Sequence, residues 1–470
     1  MMLLDWILKN RSKRWKVPLK PPKLSDTNSN EEDKNHLKED EKQLKENKKQ
    51  LEEDSRQVEE EQKQLDEDKK QLKDKKQLKP LKSHQTRRSK CNIVLEIVVV
   101  FIGSILMFFG FIQGPLQPAS FKLPAPPKFE GVLAANTKLQ EATNIFQGRV
   151  FGPESIAIKD GVLYTGIDDG RLVAINGTEV NTIASFHASN DESIPCGIPA
   201  IEHLCGHPLG LRFDKSGSSL YIIEAYSGLY KINLTSGTAQ HLSKYNDQYI
   251  GEHMQFVNDL DVTSEGVVYF SDSSSQWHRR DYAYLGVEGS ATGRIFKYNP
   301  STDRTEVVLD DLAFPNGVQL SPNEDFLLFC ETTYARINLL FLKGTMKGQV
   351  VSFVENLPGL PDNIRASSNG GYWVGFSVVR KQPFSLFDFL SDKPWVRSYI
   401  SKIIPPDVIS RYMPKYGLIV ELDQLGNIKQ SLHDPSGEVV PGCSEVLDTG
   451  DALYLGSHNN PFIAKVTLKK

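Results

Sequence analysis

From about residue 150 to the C-terminus, apolar and polar residues alternate with period two in short runs broken by Gly, Asn or Asp. One order returns six times. An acidic, Asn or Gly position is followed by alternating apolar residues, a turn, and an apolar run with an aromatic. The copies read PESIAIKDGVLYTGI from Pro153, HPLGLRFDKSGSSLYII from His207 and VNDLDVTSEGVVYFSD from Val257. They continue with PNGVQLSPNEDFLLFCE from Pro315, PDNIRASSNGGYWVGF from Pro361 and CSEVLDTGDALYLGS from Cys443. Second pairs follow most copies (GRLVAIN, GLYKINL, GRIFKYNP, GLIVELD), then a third run such as TEVVLDDL. Period-two alternation predicts strands paired as hairpins. Four short strands per unit, repeated at roughly 40–60 residues, predict an all-β, six-bladed β-propeller over 131–470. A β-sandwich would carry fewer, unrepeated strands.

Two other patterns precede the repeats. Ile93 to Ile112 is nearly all apolar, with Glu96 as its one ionisable group. At ~1.5 Å rise per residue it is long enough to cross a bilayer core, which predicts a transmembrane helix over 92–113. Lys79, Lys82, Arg87, Arg88 and Lys90 precede the run, and the next positive charge is Lys122. That asymmetry predicts a type II signal anchor, with a cytoplasmic N-terminus and the propeller in the endoplasmic reticulum lumen or outside the cell. In the arm at 31–82, Leu37, Leu44, Leu51, Val58, Leu65 and Leu72 recur every seventh residue among Glu, Asp, Lys and Gln. Its composition predicts helix. One apolar position per heptad leaves a solvated single helix or a weakly self-associating, coiled-coil-like segment. Residues 1–30 form a short N-terminal segment, and prolines at 115, 118, 124, 126 and 127 mark 114–130 as a stiff linker.

Charge and cysteine usage refine this picture. A net charge of −4 over 470 residues, without a basic aromatic patch, gives no argument for nucleic acid, and no nucleic-acid partner is expected. Asn176-Gly-Thr and Asn233-Leu-Thr are sequons in predicted surface turns, so Asn176 and Asn233 are expected to be glycosylated. Cys196 and Cys205, in a loop with Gly and Pro, are expected to form a disulfide in an oxidising compartment. Cys330, in FLLFC, reads as a buried thiol.

In a propeller the first strand of each blade lines the central channel. The residues opening the six repeats therefore gather at one mouth: Glu154, Leu209–Gly210, Asn258, Asn316, Asp362–Asn363 and Ser444–Glu445. Carboxylates and amides converging on one axis repel or stay unsatisfied without a cation. Oxygen-only ligands suit Ca²⁺, which takes 6–8 oxygens at ~2.3–2.6 Å. The local alternative is that Asn and Asp here cap strand ends and bond backbone groups.

The segments CGHPLGLRF (205–213), FVNDLDV (256–262), YFSDSSSQWHRRDY (269–282), FPNGVQLSPNEDFLLFCETTYARI (314–337) and SEVLDTGDALYLGS (444–457) are similar to those of the strictosidine synthase-like family. The resemblance spans roughly 130–470. It implies a calcium-type propeller related to paraoxonases and gluconolactonases. Glu154, Asn258, Asn316, Asp362 and Asn363 match the metal positions of those hydrolases. The resemblance also implies that Asp362 serves as nucleophile or base, with calcium polarising an ester or lactone carbonyl. The family usually has Arg where His207 stands, so His207 is either a general base or a substituted structural residue. His253, five residues before Asn258, is a second candidate base. The Glu that performs Pictet–Spengler condensation in plant strictosidine synthases falls on Ser444. Glu445 is one residue off and, by alternation, on the other face.

Residues 382–415 interrupt the fifth repeat. Phe384, Phe387, Leu390, Trp395, Tyr399 and Ile403 have roughly helical spacing. A helical insertion there packs on the blade, lids the channel or touches the bilayer. The leading function is a membrane-anchored, calcium-dependent hydrolase with arylesterase- or lactonase-like activity on a small ester or lactone. The rivals are a non-catalytic propeller that binds a ligand or a protein, and a tether acting through the arm.

Overall fold

The computed structural model describes residues 112–468 except 189–192, 235, 237, 247–250 and 252, with scattered positions between 63 and 107. The chain divides into two units, Met1–Ile102 and Gly103–Lys470. The charged arm and most of the apolar run lie outside the described residues. No helix among the described residues is long and apolar enough to cross a membrane.

The second unit is a six-bladed β-propeller of six four-stranded antiparallel sheets. The innermost strands of blades 1 to 5 are Ile156–Lys159, Pro208–Phe213, Val257–Val262, Pro315–Leu320 and Gly359–Ala366. Blade 6 has three strands of its own, starting with Glu445–Asp448. Its fourth, Thr143–Ile145, arrives from before blade 1 and pairs Asn144 with Ala464, closing the ring. Alternation works as the sequence implies. One face of each sheet meets the next blade, and Trp373, Phe270, Phe296, Phe329 and Phe376 are fully buried there. Each such side chain contributes roughly 1.5–3 kcal/mol by leaving water.

Two departures from regular strands position the channel. First, the inner strands of blades 2 to 5 lose register between Pro208 and Leu211, Val257 and Leu260, Pro315 and Val318, and Pro361 and Ile364. These bulges contain the repeat-opening pairs, and a bulge re-aims side chains that strict alternation would send to opposite faces. Glycine at 317 is required by close approach: a Cβ there would lie 2.5 Å from the Asn363 Cα.

Second, loops on the channel side carry helices. Glu202–Cys205 (α1) precedes blade 2, and Tyr282–Glu288 (α2) interrupts blade 3. Leu386–Ser391 (α3), Pro394–Ile403 (α4) and Pro406–Arg411 (α5) interrupt blade 5. Ser385 caps α3 by accepting from the Asp388 N–H. The proline-rich segment is docked rather than free. The N–H groups of Ala119 and Phe121 donate to the carbonyls of Glu288 (2.9 Å) and Ser391 (3.3 Å).

Candidate functional site

Glu154, Asn258, Asn316 and Asp362 line one cavity of about 450 Å³ at the channel mouth. Asn363 is buried beside it. Asn258 is oriented by donating its Nδ2 to Ser273 Oγ at 3.0 Å, and Asn316 by donating to Asp362 Oδ1 at 2.8 Å. The Oδ1 atoms of Asn258, Asn316 and Asn363 are buried and have no hydrogen-bond partner among the described residues. Buried acceptors are seldom left so, and each unsatisfied one costs about 1–3 kcal/mol.

Burial pushes the Glu154 carboxyl up to about 8, and repulsion from Asp362 adds to it while Arg279 opposes it. Burial likewise pushes Asp362 up to about 7, against the pull of the Ser444 hydroxyl and the Asn316 amide. Two mutually repelling carboxyls beside three orphaned carbonyl oxygens form an oxygen-only donor set that fits a hard divalent cation such as calcium. Among the described residues there is no cluster of three or more His, Cys, Asp or Glu. Here only two donors are carboxylates and the others are amides.

The candidate bases separate. His207 is buried but does not line the cavity. Its Cε1 lies against Gly152, and its Nδ1 is 3.6 Å from Glu202 Oε2, beyond hydrogen bonding. Burial, reinforced by Arg279, lowers its pKa, so it stays neutral. His253 is exposed and tilted against Tyr245, with ring centroids 5.5 Å apart, and the structure does not bring it to the cavity. His253 lies in the connection between Ala239–Lys244, the last strand of blade 2, and Val257.

Three groups in the site carry no periodic sequence pattern. Arg279, from the loop before α2, is buried. It donates Nη1 to Glu202 Oε2 at 2.7 Å and holds Nη2 3.9 Å from Glu154 Oε2. Tyr226 donates to the other Glu202 oxygen at 2.6 Å. Despite burial, the Arg279 guanidinium and the Tyr226 hydroxyl hold Glu202 down at about 2. His458 lines the cavity, with Nδ1 3.2 Å from Ser444 Oγ, and burial lowers its pKa to about 3. Ser444 thus faces the site. Glu445 is buried on the other side and accepts from Arg365 Nε at 2.6 Å.

The insertion roofs the cavity: Phe387, Ser410 and Met413 line it together with Phe256, Phe314 and Val287. Arg397 of α4 fastens the roof by donating Nη1 to the Val287 carbonyl at 2.6 Å and Nη2 to the Ser391 carbonyl at 2.9 Å. Cys196 and Cys205 form a disulfide, and Cys330 is a buried thiol. Asn176 and Asn233 are exposed at strand ends.

A propeller whose inner strands open on Asn-Asp, Asn-Gly and Asp-Asn bulges defines a class, and comparison places the chain in it. A profile for strictosidine synthase matches residues 258–345, and one for the strictosidine synthase-like N-terminal region matches 131–175. The chain belongs to the strictosidine synthase-like family. It is 42% identical over 379 residues to adipocyte plasma membrane-associated protein of Homo sapiens, covering 80% of this chain and 89% of that protein. It is 37% identical to Protein STRICTOSIDINE SYNTHASE-LIKE 3 of Arabidopsis thaliana, covering 69% and 85%. Among solved structures, a gluconolactonase from Xanthomonas campestris is similar at 17% identity and TM-score 0.46, covering 76% of this chain and 99% of that one. A likeness so distant says nothing about chemistry.

Proposed function

We propose that this protein is a membrane-anchored, calcium-dependent hydrolase of esters or lactones whose propeller faces the lumen or the outside. The observation that carries the proposal is the pair of orphaned oxygens of Asn258 and Asn316 beside Glu154 and Asp362 in a roofed, largely apolar cavity, with the unpartnered Asn363 oxygen buried next in sequence to Asp362. The apolar run at 93–112 and the plasma membrane-associated name of the relatives support anchoring.

Glu154, Asn258, Asn316, Asp362 and Asn363 would hold the cation, which when bound polarises the substrate carbonyl oxygen. Asp362 takes the proton of the attacking water and passes it to the alkoxide that leaves as the acyl C–O bond breaks; or it attacks the carbonyl itself, expels the alkoxide, which is protonated from water, and a second water hydrolyses the acyl–Asp362 anhydride. The Ser273–Asn258 and Asp362–Asn316 hydrogen bonds fix the amides in place. Phe256, Phe314 and Phe387 hold an apolar acyl or aryl group and exclude water. His458 stays neutral and orients Ser444. Pictet–Spengler condensation is not proposed, because Ser444 occupies the required position and the Glu445 carboxylate is committed to Arg365.

The test is phenyl acetate hydrolysis by the full chain in detergent, in EDTA and in calcium, beside Asp362→Asn. Activity that needs calcium and is lost in the variant supports the proposal. A folded, calcium-loaded chain without activity overturns it and leaves a binding propeller.

A further inference from the structure

Helix α4 is inside out. Arg397 and Ser401 on its inner face are 3% and 4% exposed, whereas Trp395 and Ile403 are 68% and 59% exposed. Tyr399 lies between these two at i, i+4, i+8 spacing, so the outward stripe is apolar and the buried face polar. Phe384, Leu386 and Phe389 around α3, and Tyr412 after α5, are exposed as well. The Phe384 and Phe389 rings are 5.7 Å apart. Among the described residues from 114 onward, fifteen large apolar side chains are exposed, and six of them fall in this one insertion. Scattered apolar residues are ordinary on a surface, but a concentration of this kind marks a contact.

The chain itself indicates what the contact is. The apolar run ends at Ile112, and Gly114 already sits against the aliphatic stem of Lys402 on α4, which a Cβ there would meet at 3.0 Å. Two residues span at most ~7 Å. The segment that follows is tied down by Arg397, which donates to the Ala119 carbonyl and lies 5.0 Å from the Phe121 ring. Ile112, the last residue of the run, therefore lies beside this insertion, and a bilayer anchored by the run would begin there. Besides the buried Arg397, residues 382–415 carry four basic and three acidic residues; Lys and Arg suit phospholipid headgroups, and Trp and Tyr are the aromatics of membrane interfaces. Phe387, Ser410 and Met413 of the same insertion line the cavity, so the mouth is on that side.

We infer that the outer face of α3–α5 is a foot that lies in the lipid interface. Resting on the anchored hydrolase proposed above, the inference makes its substrate class lipophilic esters or lactones that partition into that bilayer.

The test reconstitutes the full chain, one copy per nanodisc, in phosphatidylcholine with tail-brominated or ordinary lipid. Trp395 fluorescence is isolated as the difference between wild type and Trp395→Phe. Quenching of that difference by at least half in brominated discs is expected; equal fluorescence in both lipids overturns the foot. Loss of solvent exposure at Trp395 only in discs with two copies assigns the face to a second copy and also overturns it. A Phe389→Asp, Trp395→Asp variant is expected to lose at least tenfold in hydrolysis of a disc-embedded long-chain p-nitrophenyl ester while keeping phenyl acetate hydrolysis. Equal loss on both esters overturns the substrate class. If wild type hydrolyses neither, the hydrolase and its substrate class fall together, and the quenching still decides the foot.

Discussion

Asn316 donates its amide to Asp362 Oδ1 at 2.8 Å, and its own carbonyl oxygen then has no partner among the described residues. One contact spans blades 4 and 5, quiets part of a buried carboxylate and aims a carbonyl into the cavity. Replacing Asn316 with Leu keeps the volume and removes both functions. At calcium 100-fold above its dissociation constant, wild type gains about 2.7 kcal/mol, a shift of a few degrees in melting temperature. Asn316→Leu is expected to lose most of that gain and at least about 100-fold in kcat/KM, or roughly 2.7 kcal/mol of barrier, with an unchanged circular dichroism spectrum. A full calcium shift in the variant would remove Asn316 from the donor set.

The raised carboxyls give this calcium response a pH dependence of known sign. Glu154 and Asp362 titrate near 8 and 7 in the folded chain, against ordinary values of 4.5 and 3.8. Between these limits the cation-free folded chain holds more protons than the unfolded one. The contribution is therefore full at low pH and is lost as pH rises through 7 to 8. Calcium replaces those protons. The melting-temperature difference between calcium and EDTA is expected to be larger at pH 8 than at pH 6, read by scanning fluorimetry. Taking the difference cancels the other titrating groups. Equal differences at both pH values would place the two carboxyls outside the calcium site.

The blades and the mouth residues are legible in the sequence because alternation and turn glycines are local signals. The convergence of Asn258, Asn316 and Asp362 follows from propeller geometry alone. The bulges are not legible. The two-for-one register at 316–317 depends on how closely the next inner strand approaches, as the Gly317–Asn363 spacing shows. Arg279 and His458 sit on aperiodic loops, and Glu202, Tyr226 and Ser444, distant in sequence, set their positions. His253 shows the converse: five residues of separation from Asn258 do not place a side chain at the mouth when the strand starts between them. In the insertion, the spacing of Trp395, Tyr399 and Ile403 reveals one helical stripe. It does not say that this stripe faces out, because the buried partners of Arg397 are backbone carbonyls.

Arg365 is the spoke beneath the site. Buried, it donates Nε to Glu445 Oε1 at 2.6 Å, and Nη1 and Nη2 to the two Asp259 oxygens at 2.7 and 3.0 Å. It thereby joins the inner strands of blades 3, 5 and 6. Arg365→Met fills similar space but strips Glu445 of its ion-pair partner and leaves Asp259 only Arg212, 3.7 Å away. The expected cost is about 3–5 kcal/mol in guanidinium unfolding. Arg365→Lys restores the charge without the fork and should fall between. A Met variant as stable as wild type would show that the carboxylates take up protons without penalty.

The Cys196–Cys205 bridge closes a nine-residue separation that contains Glu202, the partner of Arg279 and Tyr226. Loop-closure entropy for that length is worth about 2–3 kcal/mol at 25 °C. Changing both cysteines to serine is expected to lower stability by this amount in denaturant titration. It should also loosen the support of Arg279 and reduce esterase activity several-fold, with the calcium shift retained because the donor oxygens lie elsewhere. Dithiothreitol supplies the internal control. It should lower the melting temperature of wild type and leave the double-serine variant unmoved, since Cys330 and Cys443 are buried thiols. A reductant effect that persisted in the variant would trace to another pair and detach this loop from the stability of the site.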